Sequence, residues 1–194
     1  DLKERRGMSQ DQVRRFIFTI RNTFTAVEQV RVPVIAAING FAFGGGMELA
    51  LACDIRIAAS TAVLGLTETS LAIIPGAGGT QRLPRLAGRK RALELLLTGD
   101  PFTPARALEI GLVNMVVPHE ALLATARELA GRIVRHSPLA IGAIITAVTR
   151  GLNMSVGEGL QVESEQFAAL VPTGDLGEGI NAWIERRQPV YRGR

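Results

Sequence analysis

The sequence predicts an α/β fold: strands and helices alternate to about residue 117, and a helical segment fills 118–194. Three observations carry that prediction. "VPVIAAI" (32–38) is a continuous apolar run of strand length, the pattern of a strand buried on both faces. Shorter strand-like runs recur between helical patterns, at "DIRIAA" (54–59), "AVLGL" (62–66) and "LVNMVV" (112–117). Past Pro118 the apolar spacing turns helical and stays so to residue 187. Length and composition agree: 194 residues, 47% apolar and 21% charged, suit one domain or one domain with a helical appendage, and they exclude a disordered chain.

Taken in order, residues 8–29 open with Ser9 and place Val13, Phe16, Ile17, Ile20, Phe24 and Val27 at helical spacing. The strand at 32–38 follows. Gly40 to Gly46 turn the chain into "MELALAC", a short buried helix. Two strands come next (54–59 and 62–66), then a loop at "IIPGAGGT" (73–80), marked by its proline and glycines. Helical pattern covers 80–98 and again "TPARALEIG" (103–111), where Thr103 caps, Pro104 takes the first turn and Gly111 stops the helix. After the strand at 112–117, helices break near Ser137-Pro138, Gly151 to Ser155 and Pro172 to Asp175. The domain reading is thus 1–117 for the strand-containing core and 118–194 for a helical segment whose apolar faces suit packing on a second subunit.

Charge and cysteine content narrow the classes. The net charge is +4, with acids mixed among the bases. The densest basic run, Arg82, Arg85, Arg89, Lys90 and Arg91, reads as a solvated helix face or as a site for a phosphate-bearing partner. It has no interleaved aromatics and only 5% of residues are aromatic, so nucleic acid is a poor fit. Cys53 stands alone, which leaves no disulfide framework or zinc spacing and makes it a small core residue. His119 and His136 sit at apparent helix boundaries, without metal-type partners. No metal site is expected, and no apolar run reaches the length of a membrane span.

The glycines do not form a nucleotide loop. Counting G-x-G-x-x-G from Gly44 puts Leu49 at the third glycine position, and counting from Gly76 puts Gln81 there. There is no nucleophile elbow either. What remains in "GFAFGGGMELALACD" is a glycine turn running straight into a helix. Such a turn bares backbone N–H groups at a positive dipole end, where an oxyanion can bind. Glu48 follows within the first turn. On these residues alone, close packing with a capping glutamate explains the stretch equally well. A second carboxylate, Glu68, lies between a strand and the glycine loop, where either a solvent-facing turn or a catalytic group fits. Two carboxylates in one partly apolar pocket can have their pKa values pushed apart, one serving as base and the other as acid.

From Pro33 to Arg82, "PVIAAINGFAFGGGMELALACDIRIAASTAVLGLTETSLAIIPGAGGTQR" closely resembles the enoyl-CoA hydratase/isomerase (crotonase) family, and the likeness runs on through "LTGDPFTPARALEIGLVNMVVP" to "INAWIERRQPVYRGR". The resemblance covers the whole chain and corresponds to about the last three quarters of a typical member. It implies a spiral of strand-strand-helix turns, with a C-terminal helical segment for trimerisation or for covering the site, in homotrimers or dimers of trimers. It also implies a coenzyme A thioester as substrate with no permanently bound cofactor, the backbone N–H of Gly45 as an oxyanion donor, Glu48 and Glu68 as the proton-moving pair, and Gly76 in the loop that closes on the site. Lys3, Phe167 and Arg186 match positions near the CoA or acyl pocket. One departure stands out: the family's second oxyanion donor precedes the position of Asp1, so the chain is expected either to be trimmed or cleaved at that end, the favoured reading, or to be incomplete and inactive.

The activity so implied is reversible hydration of a 2-enoyl-CoA. A methylglutaconyl-CoA hydratase or an enoyl-CoA isomerase of the same family is the alternative, and both glutamates favour hydration. An RNA-binding role or a catalytically silent assembly subunit is the alternative of another class. The compartment would be the cytoplasm in a bacterium and the mitochondrial matrix in a eukaryote.

Overall fold

A computed structural model describes residues 2–194. The chain divides into two compact units. One takes in residues up to Glu28 together with Val34–Ala126, and the other Gln29–Pro33 with Arg127–Arg194. The helical segment therefore separates within the helix after Pro118, and residues 118–126 stay with the strands.

The first unit opens with α1 (Leu2–Arg5) and α2 (Gln10–Glu28). Ser9 starts α2 as the sequence suggests: its Oγ accepts from the Gln12 N–H, while Gln12 Oε1 accepts from the Ser9 N–H. Then come β1 (Ile35–Ile38), β2 (Phe41–Phe43) and α3 (Gly45–Ala52), followed by β3 (Ile55–Ala59) and β4 (Val63–Gly65). β3 lies parallel beside β1 with Ile35 opposite Ile55, and β4 lies parallel beside β2 with Phe41 opposite Val63. Each pair of successive strands thus feeds two sheets, and the next pair stacks on it. β5 (Met115–Val117) extends the first sheet to the order β1-β3-β5, and β2-β4 forms the second. Consecutive strands that alternate between two sheets, each parallel to its sheet neighbour, make the spiral.

Between β4 and β5 run a 3₁₀ turn (Glu68–Leu71), α4 (Gly79–Ala87), α5 (Arg89–Thr98) and α6 (Pro104–Glu109). Thr103 caps α6 by accepting from the Arg106 N–H. In the second unit, α7 (Leu122–Ile133) leads from the first, and α8 (Pro138–Gly151) packs on α9 (Val156–Leu170), with Gly151 and Gly159 in backbone contact. α9 begins with a capping box of Ser155 and Glu158, and α10 (Gly174–Ile184) is capped by Thr173. No helix among the described residues is long and apolar enough to cross a membrane.

Four expectations need correction. The run at 32–38 is not buried on both faces: Val32 is exposed, Ile35 to Ala37 are half-buried and only Ile38 is buried. It forms the edge of its sheet, whereas β3, between two strands, carries the fully buried Ile57, Ala58 and Ala59. The glycine turn at 40–46 contains β2, a three-residue strand too short to show a period. The helical stretch at 80–98 is two helices, split where Gly88 takes φ 79°. Cys53 is half-buried at the end of α3, its Sγ donating to the Leu49 carbonyl.

Candidate active site

α3 is held at both ends. Gly44 precedes it at φ 50° and ψ −120°, a conformation open to glycine and costly for other residues, and its N–H donates to the Gly65 carbonyl at 3.0 Å. At the other end, Arg56 is 5% exposed. Its guanidinium donates to the carbonyls of Ala50 and Cys53 at the helix C-terminus and, through Nε, to that of Leu112. A cation there suits the negative end of the dipole. The opposite end, at Gly45 and Gly46, presents first-turn amides that have no acceptor within the helix.

Glu48 is the fourth residue of α3, just 3% exposed. Its Oε1 accepts two backbone N–H groups, from Ala77 and from Gly79, each at 2.8 Å. Both donors belong to the loop 75–79, and Gly79 leaves them room: a Cβ there would lie 2.8 Å from the Pro75 Cβ and 3.1 Å from Glu48 Oε1. Burial raises the Glu48 carboxyl above its ordinary pKa, and the two amides and the Arg82 charge pull it back down.

Glu68 opens the 3₁₀ turn after β4 and is 8% exposed. Its Oε1 would lie 3.0 Å from a Cβ at position 44, so the glycine there serves the carboxylate as well as the turn. Its Oε2 is buried with no hydrogen-bond partner among the described residues. Burial raises the Glu68 carboxyl most; its own N–H opposes this, and the Glu48 charge raises it further.

One cavity of about 1040 Å³ gathers these groups. Gly44, Gly45, Glu48, Glu68 and Gly76 line it, so four of the residues singled out in the sequence meet at one place. Its apolar wall comes from Phe16, Ile17 and Ile20 of α2 on one side and Leu71, Ile73 and Ile74 on the other. Ile17 fits against Gly76, where a Cβ would lie 3.2 Å from its Cγ2. Arg5 and Arg21 stand at the same cavity, Arg21 with its guanidinium 5.0 Å over the Phe18 ring. An oxyanion end, two buried carboxylates of unlike surroundings and an apolar wall can together stabilise an enolate and move protons beside it.

The other singled-out residues stand elsewhere. Lys3, in α1, is not among the residues lining the cavity. Phe167 is 68% exposed on α9, and Arg186, at φ 55°, follows α10; both belong to the second unit. Three groups escaped the sequence reading: the amides of Ala77 and Gly79, and Arg82. Amides carry no residue signature. Arg82 had one, a basic residue just past the glycine loop, but it sat within a run of bases that reads as a solvated face.

Comparison with known proteins completes the picture. The family model described as enoyl-CoA hydratase/isomerase matches residues 1–194. A crystal structure of enoyl-CoA hydratase from Bacillus anthracis superposes with a TM-score of 0.97 at 51% identity, over 100% of this chain and 75% of that one. A Bacillus subtilis protein provisionally named an enoyl-CoA hydratase/isomerase is 49% identical over 193 residues, spanning 100% of this chain and 74% of the relative. Human mitochondrial methylglutaconyl-CoA hydratase is 43% identical, and this chain spans 58% of its length.

Proposed function

This chain belongs to the enoyl-CoA hydratase/isomerase family, and from that premise we propose that it adds water reversibly across the 2,3 double bond of a 2-enoyl-CoA. The observation that carries this reading is the unlike pair of carboxylates in one cavity: Glu48 gripped by two amides, Glu68 with a buried oxygen unpartnered among the described residues.

Attack of water on C3 of the unsaturated thioester drives negative charge onto the thioester oxygen. The Gly45 N–H at the start of α3 meets that charge, and losing one such donor costs about 3 kcal/mol of transition-state stabilisation. Burial raises both carboxyls, but at Glu48 two amides and the Arg82 charge favour the ionised form, so in this reading Glu48 orients the water and takes its proton. Glu68 is pushed toward its protonated form by burial and by the Glu48 charge, so it delivers a proton to C2. Hydroxide has then joined C3 and a proton C2, and passage of one proton from Glu48 to Glu68 resets the site. The apolar wall of α2 and residues 71–74 receives the acyl chain.

Loss of the enoyl absorbance of crotonyl-CoA in the presence of the protein tests the proposal. No turnover of crotonyl-CoA or of longer enoyl-CoAs would overturn it. Full rates for both Glu48→Gln and Glu68→Gln would overturn the roles even with the activity present.

A methylglutaconyl-CoA substrate is the second reading, favoured by the cations Arg5 and Arg21 at the cavity, which suit a second substrate carboxylate. A higher kcat/KM for that thioester than for crotonyl-CoA decides for it. Assembly as a trimer or dimer of trimers is part of the proposal, supported by the exposed apolar side chains Ile180, Trp183 and Ile184 on α10; light scattering on the eluting protein reads it.

A further inference from the structure

Arg82 lies beneath the loop that grips Glu48. Its Nη1 donates to the Ala77 carbonyl at 2.9 Å, and its own N–H donates to the Gly78 carbonyl at 2.8 Å. The guanidinium fills the space beside Gly78 so closely that a Cβ there would sit 2.0 Å from Nη1; Gly78 is at φ 114°, which glycine alone takes readily. On its far side Arg82 is fixed to α2, with Nη2 2.7 Å from Glu28 Oε2 and Nε 3.2 Å from the same oxygen, and its side chain is 11% exposed. One side chain therefore ties α2, the 75–79 loop and α4 together. The peptide it holds at Ala77 belongs to the very residue whose N–H donates to Glu48 Oε1.

We propose that Arg82 is the positioning residue for Glu48, acting through the 75–79 loop that it anchors to α2. The inference deepens the functional reading above and rests on Glu48 being the group that handles water. Without the guanidinium the Ala77 carbonyl loses its donor, the two amides no longer converge, and the carboxylate is free to shift. A misplacement of about 1 Å can cost on the order of 100-fold in rate. The charged groups facing Glu48 are Arg82 from α4 and Glu68 from the 3₁₀ turn; Glu28 of α2 faces it only across Arg82, and Arg5 and Arg21 stand at the same cavity.

The test compares Arg82→Met, Arg82→Lys and Glu28→Gln in the full chain, by hydration kinetics against pH and by the titration of ¹³C-labelled glutamate carboxyls without substrate. For Arg82→Met, kcat should fall by about 10-fold or more, with KM changed less. The rising limb of the pH profile and the Glu48 titration should both move to higher pH. Arg82→Lys should return the titration toward that of the unsubstituted protein but restore kcat only in part, because one ammonium cannot span the Ala77 carbonyl and Glu28. If Arg82→Met does not fold, Arg82→Lys and Glu28→Gln carry the same comparison, with Glu28→Gln lowering kcat by loosening the anchor. An unchanged Glu48 titration and pH limb in Arg82→Met, even with a reduced rate, would overturn the proposal, and so would an unchanged kcat in both Arg82→Lys and Glu28→Gln. A moved titration in a protein that turns over no enoyl-CoA would support the link between Arg82 and Glu48 and sink the hydratase reading instead.

Discussion

Replacing Glu68 by glutamine should stabilise the fold while removing its activity. Glu68 is 8% exposed, its Oε2 has no partner among the described residues, and both burial and the Glu48 charge raise its pKa. A carboxyl raised in the folded state binds protons more readily there than in the unfolded chain. Its contribution to stability therefore falls as pH climbs from the unfolded value toward the folded one. Each pKa unit of elevation corresponds to about 1.4 kcal/mol of native-state cost at neutral pH. Glutamine keeps the shape and removes the charge; its amide leaves a polar group to satisfy, which is cheaper to bury than an ion. The expected result is a gain in stability that scales with the elevation found by titrating Glu68, each kcal/mol appearing as a rise of about 2–4 °C in Tm for a chain of this size. Activity should drop about 100-fold or more with the loss of the proton donor. Scanning calorimetry at pH 7 and near pH 4 reads the effect, and the advantage of Glu68→Gln should shrink at the acid end, where the native carboxyl is already neutral. A variant less stable at pH 7, or one whose advantage does not depend on pH, would refute the claim that Glu68 is a carboxyl buried at a cost for its chemistry.

Other perturbations reach different parts of the same scaffold. Gly44→Ala forces a side chain onto φ 50° and places its Cβ 3.0 Å from Glu68 Oε1, so it should lower stability by about 1–3 kcal/mol and reduce kcat more than KM, checked by denaturant melts and crotonyl-CoA kinetics. Arg56→Met leaves the carbonyls of Ala50, Cys53 and Leu112 without their guanidinium donor and should cost about 2–4 kcal/mol, read as a lower urea midpoint. In the second unit, Glu178 is lowered to about 2 by the Arg187 hydrogen bonds and the Val190 N–H, and Asp175 is lowered by Ser137 and the Arg192 N–H. Depressed carboxyls stabilise above their unfolded pKa and lose that contribution as pH falls through the folded one. Hydrogen exchange at Val190, Arg192 and Gly193 should therefore be protected near neutrality and quicken, relative to other amides, as pH drops below about 4 toward 2.

The ordering of helices was legible because helices of ten or more residues repeat their apolar face several times. The stripe on α2 with Ser9 at its start, and the cap at Thr103, gave such signals, whereas the caps at Ser155 and Thr173 lay within stretches that read only as helix breaks. β2 was not legible, since three residues contain too little of a period to separate a strand from a glycine turn. The spiral itself left no sequence repeat. Ile35 opposite Ile55 and Phe41 opposite Val63 are matched by backbone hydrogen bonding and by stacking, which ask for small or apolar residues and not for the same ones. The apolar stripe of α2 also hid a division of labour: Phe24 packs on Ala52 and Ala77 in a core, Phe16 and Ile17 face the cavity, and Ile20 touches both. Both uses look alike as spacing.

The site shows the same limit more sharply, because its glycines are needed for different neighbours. Gly44 makes space for Glu68, Gly79 for Glu48, and Gly78 for Arg82, and each neighbour lies at a different distance along the chain. A glycine cluster announces that some backbone comes close to something, and the carboxylates nearby suggest what. Neither says that Glu48 is held by two amides from the second glycine loop while Glu68 has only its own N–H. In the proposed mechanism that asymmetry separates the base from the acid in two residues of one type. It arises from where the 75–79 loop is anchored, which is the business of Arg82 and Glu28, a pair 54 positions apart that no local pattern connects. The chemistry is therefore written in the contacts of the loop more than in the glutamates themselves, and a variant that moves the loop should alter the roles of both carboxylates while leaving each in place.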